Sequence, residues 1–194
     1  MSSPYIISLG YEFYWNTRLL VKLKWHSASK NKPLVKEFAK GVPQYDKTAQ
    51  KCIDQFSDSI YAAIVDLDIE SPDSCQLNFF YNLVQQYREN FPENLVRETK
   101  GAALALLQLG LKDAIKSGKL KPNAKIILYA GGLQGNKDMQ GLVDYYSHLG
   151  LKLVSKSDCV AKRFCLMEGT VDTILAKPVT VHPWVQKALD LVPQ

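Results

Sequence analysis

Three groups of side chains in this chain are suited to chemistry. The first is Arg97-Glu98-Thr99-Lys100-Gly101-Ala102-Ala103, where tiny residues open a predicted helix. Backbone N–H groups at a helix start can meet a phosphate, and side chains larger than alanine obstruct that approach. The second is the pair Tyr145 and Tyr146 near the end of another predicted helix. A phenol with a pKa of about 10 keeps its proton at neutral pH and can donate it to a developing anion. Neighbouring helical residues point about 100° apart, so only one of the two faces a given site; the spacing to Gly150 favours Tyr146. The third group is Asp66, Asp68 and Glu70, which alternate with Val65, Leu67 and Ile69. Alternation puts three carboxylates on one face of a strand, about 6–7 Å apart in succession, where they could accept a proton through water or attract a cationic amine. Each group also has a plainer reading: close packing through small residues, aromatic core, and a solvated sheet face.

The elements that must position these groups follow from hydrophobic periodicity. Residues 5–14 and 18–26, rich in β-branched and aromatic side chains, flank Asn16-Thr17 and predict two opening strands. Apolar residues at helical spacing from Pro33 to Phe56, broken at Gly41-Val42-Pro43, predict two helices. Residues 60–70 form the clearest strand, and Ser71-Pro72-Asp73-Ser74 a turn. Residues 75–87 fit a strand ending near Leu83 or a helix. Beyond the break at Asn90-Phe91-Pro92-Glu93-Asn94, a long helix is predicted from Thr99 to Lys116, stopped by Ser117-Gly118. A buried strand follows at 125–129, then a helix that Asn136 or Asp138 can cap and Gly150 ends. Segments 151–154, 163–167 and 171–176 read as closing strands. The alternation of strands and helices from 75 to 154 predicts an α/β fold, and the paired early and late strands make its sheet mixed.

The length of 194 residues with 46% hydrophobic composition fits a single domain. No run approaches the roughly 18 apolar residues of a membrane span, and Met1-Ser2-Ser3-Pro4 lacks the pattern of a secretion signal. A soluble, cytoplasmic protein without a membrane partner is expected. The formal charge of +5 is scattered, which suits a phosphorylated ligand and makes nucleic acid an unlikely partner. Tyr11, Phe13, Tyr14, Trp15 and Trp25, with Arg18, Lys22 and Lys24 among them, could bind nucleic acid through the opening hairpin, but the aromatics read rather as core and interface residues. Cys52, Cys75, Cys159 and Cys165 form no C-x-x-C and no Cys/His cluster, so buried thiols are expected, with no metal. Walker-type, Gly-x-Ser-x-Gly and G-x-G-x-x-G motifs are absent.

From residue 75 to 177 the chain resembles the GCN5-related N-acetyltransferase (GNAT) family. One family motif is Arg or Gln, two residues, Gly, one residue, then Gly or Ala; Arg97 and Ala102 match its ends, and Lys100 stands in place of the Gly. The other is a helix ending in Tyr, three residues, Gly and a large apolar residue, matched by Tyr146 through Leu151. Where the family often has an Asn seven residues before the tyrosine, this chain has Met139, with Asn136 further back. In the family the strand runs almost directly into the phosphate loop, so an insertion is expected around Pro92-Glu93-Asn94.

The resemblance implies a mostly antiparallel mixed sheet flanked by helices and acetyl-CoA as co-substrate. It further implies direct transfer of the acetyl group to a primary amine, without a covalent enzyme intermediate. Residues 97–103 and Asn136 would hold the cofactor, Tyr146 would protonate the departing thiolate, and Asp66, Asp68 or Glu70 would serve the amine. A small molecule or peptide supplies that amine, and exposed end strands make a homodimer plausible. The alternative is a noncatalytic CoA-binding or scaffold protein with the same fold.

Overall fold

Residues 5–14, 18–27, 59–91, 93–131, 139–157, 159 and 164–190 are described by the computed structural model. Strand β3 (Ser59–Ser71) shows how the sequence builds the sheet. Ala63, Val65, Leu67 and Ile69 are buried on one of its faces, as the period of two demands. The chain turns at Pro72-Asp73 and returns antiparallel as β4 (Ser74–Asn82). Residues 75–82 are therefore strand. A short helix, α1 (Leu83–Gln86), takes over only where the helical signal remains.

On the other side of β3 lie β2 (Arg18–Ser27) and β1 (Tyr5–Tyr14), antiparallel to one another and to β3 in turn. The predicted Asn16-Thr17 turn and the helices predicted between residues 33 and 56 fall outside the described residues. Beyond β4 come β5 (Lys125–Ala130), β7 (Cys165–Thr170) and the two-residue edge strand β6 (Lys152–Leu153). The seven-stranded order is β1-β2-β3-β4-β5-β7-β6, and every neighbouring pair is antiparallel except β4 and β5. The mixed, mostly antiparallel sheet with flanking helices expected from the sequence is the one observed.

A parallel pair needs a crossover. Helix α3 (Ala102–Lys116) supplies it between β4 and β5, and α4 (Met139–His148) connects β5 to β6. Both helices bury apolar residues in one core, where Leu106, Leu107 and Val143 join Val65, Leu67, Leu77, Leu128 and Met167. Full burial of a leucine or valine contributes about 1.5–3 kcal/mol each. The core therefore covers one face of the sheet. Asp66, Asp68 and Glu70 alternate onto the other.

Three expectations need correction. The long helix predicted from Thr99 to Lys116 is α3, starting three residues later, and an unexpected helix, α2 (Glu93–Thr99), precedes it, the two separated at Gly101, whose φ of 75° turns the chain. The break expected at Asn90-Phe91-Pro92-Glu93-Asn94 gives way at Glu93 to these seven helical residues. Residues Val171–Leu175 are helix α5, not a closing strand. Their β-branched composition suggests β-structure, but Asp172 accepts the backbone N–H of Thr173 at 2.8 Å and the hydroxyl of Thr170, stabilising a helical turn. Finally, Cys159 and Cys165 form a disulfide. The β6–β7 pairing returns the chain on itself and sets their Cα atoms 4.4 Å apart, which their spacing alone does not reveal. Cys75 is a buried thiol, its pKa pushed up to about 12 by burial and then by Glu70. Cys52 lies outside the described residues.

Candidate functional site

The β4–β5 ladder holds only three pairs, Ser74 with Lys125, Cys75 with Ile126 and Gln76 with Ile127. Past that point β4 runs on to Asn82 and β5 to Ala130 without pairing to one another. The carboxyl ends of parallel neighbours that part company form a natural ligand crevice in α/β sheets. Here backbone groups of the two strands are released from the ladder beside the apolar core.

A β-bulge sits at this opening. Asp66 pairs with Phe79 but Leu67 with Leu77, so Asn78 is an extra residue in β4. Its consequence is directional. Leu77 and Phe80 stand opposite Leu67 and Val65 respectively, so both belong to the core face although they are three residues apart. Without the extra residue Phe80 would point to the other side. The bulge is steadied by Gln76, whose Nε2 donates to Asn78 Oδ1 at 2.7 Å.

Phe80 thereby meets helix α4. Its ring centroid lies 6.1 Å from that of Tyr145, nearly stacked, and 6.3 Å from that of Tyr146, tilted by 49°. The two tyrosines meet edge to face at 5.4 Å. These are favourable aromatic geometries. Tyr145 is exposed on its outer side and Tyr146 is half-buried. Burial, followed by the neighbouring Tyr145, pushes the Tyr146 phenol up to about 12; burial also raises Tyr145. Tyr146 is thus a neutral hydrogen-bond donor throughout the neutral range.

The spacing of Tyr146 to Gly150 has a structural origin. Leu151 N–H donates to the Tyr146 carbonyl at 3.1 Å and Gly150 N–H to that of Ser147 at 2.9 Å, with Gly150 at φ 95°. This is the C-terminal stop of α4. A Cβ at Gly150 would strike Thr173. His148 lies exposed in the last turn, its Nδ1 2.6 Å from the Asp144 carbonyl oxygen.

The segment 97–103 straddles the α2–α3 junction. Arg97 and Lys100 are exposed, whereas Glu98 and Thr99 are buried, and Glu98 Oε2 has no hydrogen-bond partner. Thr99 is clamped: its carbonyl accepts from Asn82 Nδ2 at 3.0 Å, and its hydroxyl accepts from Gln85 Nε2 at 2.9 Å and donates to the Leu95 carbonyl at 3.0 Å. Asn82 ends β4, so this clamp fastens the end of α2 back to the strand. Gly101 is the N-cap of α3 and offers its helix no side-chain cap. Its open face is filled by the protein itself, since a Cβ there would lie 2.8 Å from the Thr180 carbonyl oxygen and 3.3 Å from Val179. Ala102 and Ala103 are buried in the core. The small residues at this corner serve close packing. Asn136 is outside the described residues.

The carboxylates lie across the sheet from Tyr146. Asp66 is buried and gripped by Arg18, whose Nε donates to Oδ1 at 2.9 Å and whose Nη2 donates to Oδ2 at 2.5 Å. Asp68 is half-buried directly opposite Arg18 in the register, and the exposed Glu70 accepts from Ser74 Oγ at 3.3 Å. The structure brings Tyr146 together with Phe80, and Thr99 together with Asn82 and Gln85. It sets the carboxylates on the opposite face from the tyrosine.

Comparison with known proteins gives no assignment. No family model, no curated protein and no solved structure matches the chain. Among the described residues, no helix is long and apolar enough to cross a membrane.

Sequence reasoning missed Phe80, Asn82, Gln85 and Arg18. Phe80 needed the bulge, and Arg18 needed the register. Asn82 followed three residues later by Gln85 does carry the pattern of a helix start, and Asn82 Oδ1 accepts the Gln85 N–H at 3.2 Å.

Proposed function

We propose that the protein is an acetyl-CoA-dependent N-acetyltransferase with a GNAT-like fold. The observation that carries this reading is the parting of β4 from β5 just past Gln76 and Ile127, with Phe80 and Tyr146 beside the opening. An extended thioester fits alongside strand edges that lack a ladder partner. Exposed Arg97 and Lys100 suit a diphosphate at the other end of the cofactor and, with Asn136, are the proposed contacts; Gly101, Ala102 and Ala103 shape that corner by close packing.

In the reaction, an unprotonated amine nitrogen attacks the thioester carbonyl carbon, and the carbon–sulfur bond breaks. The departing sulfur takes up charge beside the Tyr146 hydroxyl. An ordinary thiol has a pKa of about 8.5, well below that of this phenol, so Tyr146 stabilises the departing thiolate by donating a hydrogen bond while keeping its own proton. The proton of the attacking amine passes to solvent water, since Asp68 and Glu70 lie across the sheet from Tyr146. Asp66, occupied by Arg18, acts mainly as that arginine's counter-ion. Alignment of amine and thioester contributes most of the acceleration.

A noncatalytic CoA-binding or scaffold role is the second reading. It is favoured by the packing of Gly101 against Thr180 and by Lys100 in place of the motif glycine. Calorimetric titration with acetyl-CoA, followed by an acetyl-transfer assay on a panel of primary amines, separates the two. Binding with transfer supports the enzyme, binding without transfer supports the scaffold, and no binding overturns both.

A further inference from the structure

A cavity of about 370 Å³ opens on the outer side of α3, against the segment 179–181 and the last described helix, α6 (Pro183–Asp190). It shares no residue with the aromatic cluster. Its size falls within the range of small-molecule sites. Ala105, Leu109, Val179, Val181 and Leu189 supply apolar walls.

The polar lining is specific. Gln108 is 6% exposed, and its Nε2 donates to the carbonyls of Ile174 at 3.0 Å and Lys177 at 2.7 Å. Two carbonyl acceptors fix the amide orientation. Oε1 is left as a fixed acceptor on a cavity-lining residue. One wall carries Lys112 and Lys116, one helical turn apart and exposed, with no carboxylate partner among the described residues. Asp113 and Asp190 also line the cavity, and Asp190 Oδ1 accepts from Gln186 Nε2 at 2.8 Å.

An anion alone would meet the Asp190 carboxylate here, and a cation alone two ammonium groups. A purely apolar ligand would strand the Gln108 acceptor. We infer that the cavity binds a free α-amino acid with an apolar or aromatic side chain. Its carboxylate pairs with Lys112 and Lys116, and its ammonium donates to Gln108 Oε1 and Asp190. Its side chain lies against Leu109, Val179, Val181 and Leu189. The proposal does not depend on the acetyltransferase reading.

The test uses the full chain and L-phenylalanine, followed by ligand-observed NMR and amide chemical shifts. A ligand this small is expected to bind at about millimolar strength, shifting the Gln108, Val179 and Val181 signals. L-Phenylalaninamide lacks the carboxylate and N-acetyl-L-phenylalanine lacks the ammonium; each should bind about tenfold more weakly, the loss of one charge-assisted pairing. The double variant Lys112→Ala/Lys116→Ala should weaken L-phenylalanine about tenfold without weakening the amide, whose ammonium the two lysines only repel. Absence of saturable binding, equal affinity for all three compounds, or indifference to the lysine replacements would each overturn the assignment.

Discussion

The Phe80 and Tyr146 rings lie 6.3 Å apart across the point where β4 leaves β5, and they meet there only because Asn78 is an extra residue in β4. A backbone irregularity thus aims one aromatic residue at another on a different element.

Replacement of Tyr146 by Phe preserves the ring contact and removes the donor. Under the proposed mechanism the transfer rate falls about 100-fold with little change in the acetyl-CoA affinity. Steady-state kinetics on a purified amine acceptor would check this. A loss confined to cofactor binding would argue against the donor role.

The same phenol makes stability pH-dependent. Its pKa is raised to about 12 in the folded chain from about 10 when unfolded. Between those values the folded state holds the proton and the unfolded state does not, so stability is intact below pH 10 and declines as pH rises toward 12. Allowing for its partial solvent contact, the loss amounts to about 1–2 kcal/mol. Thermal unfolding of the wild type and the Tyr146→Phe variant across that window should show the decline shallower in the variant.

Two glycines with nearly equal backbone angles separate conformation from contact. Gly101 and Gly118 have φ of 75° and 73°, but a Cβ meets Thr180 at the first and open space at the second. Gly118→Ala should cost about 1 kcal/mol, the left-handed penalty alone, and Gly101→Ala about 2–4 kcal/mol. Urea denaturation of both variants measures the difference. Equal losses would mean that the segment 179–181 yields without cost.

Arg18 and Asp66 form a two-pronged pair whose acid is buried and whose base is 46% exposed in its side chain. Arg18→Ala strands a carboxylate in the sheet and should destabilise by about 1–3 kcal/mol. Adding Asp66→Asn should restore part of that. Chemical denaturation of the two singles and the double closes the cycle.

The sheet strands were legible where one face is buried. Alternation in Val65 to Glu70 and the apolar run Lys125 to Ala130 translate directly into β3 and β5. The α2 and α5 helices were not, because seven and five residues are too few for periodicity to outweigh composition, and their ends depend on Thr99 and Asp172 bonding to neighbours. Tyr146 was legible as a neutral donor. The cooperation of Phe80, the engagement of Asp66 by Arg18 and the filling of Gly101 by Thr180 were not, since each joins residues whose proximity exists only after strand register and helix docking are set.

The clamp from Asn82 and Gln85 to Thr99 turns residues 83–98 into a closed handle whose two ends are fastened side by side. Length changes confined to the handle's outer arc, around Arg88 to Asn90, would then be absorbed locally, leaving the entry of the next helix where it stands. Such a handle lets this part of the chain diversify while the crevice beside it keeps its shape.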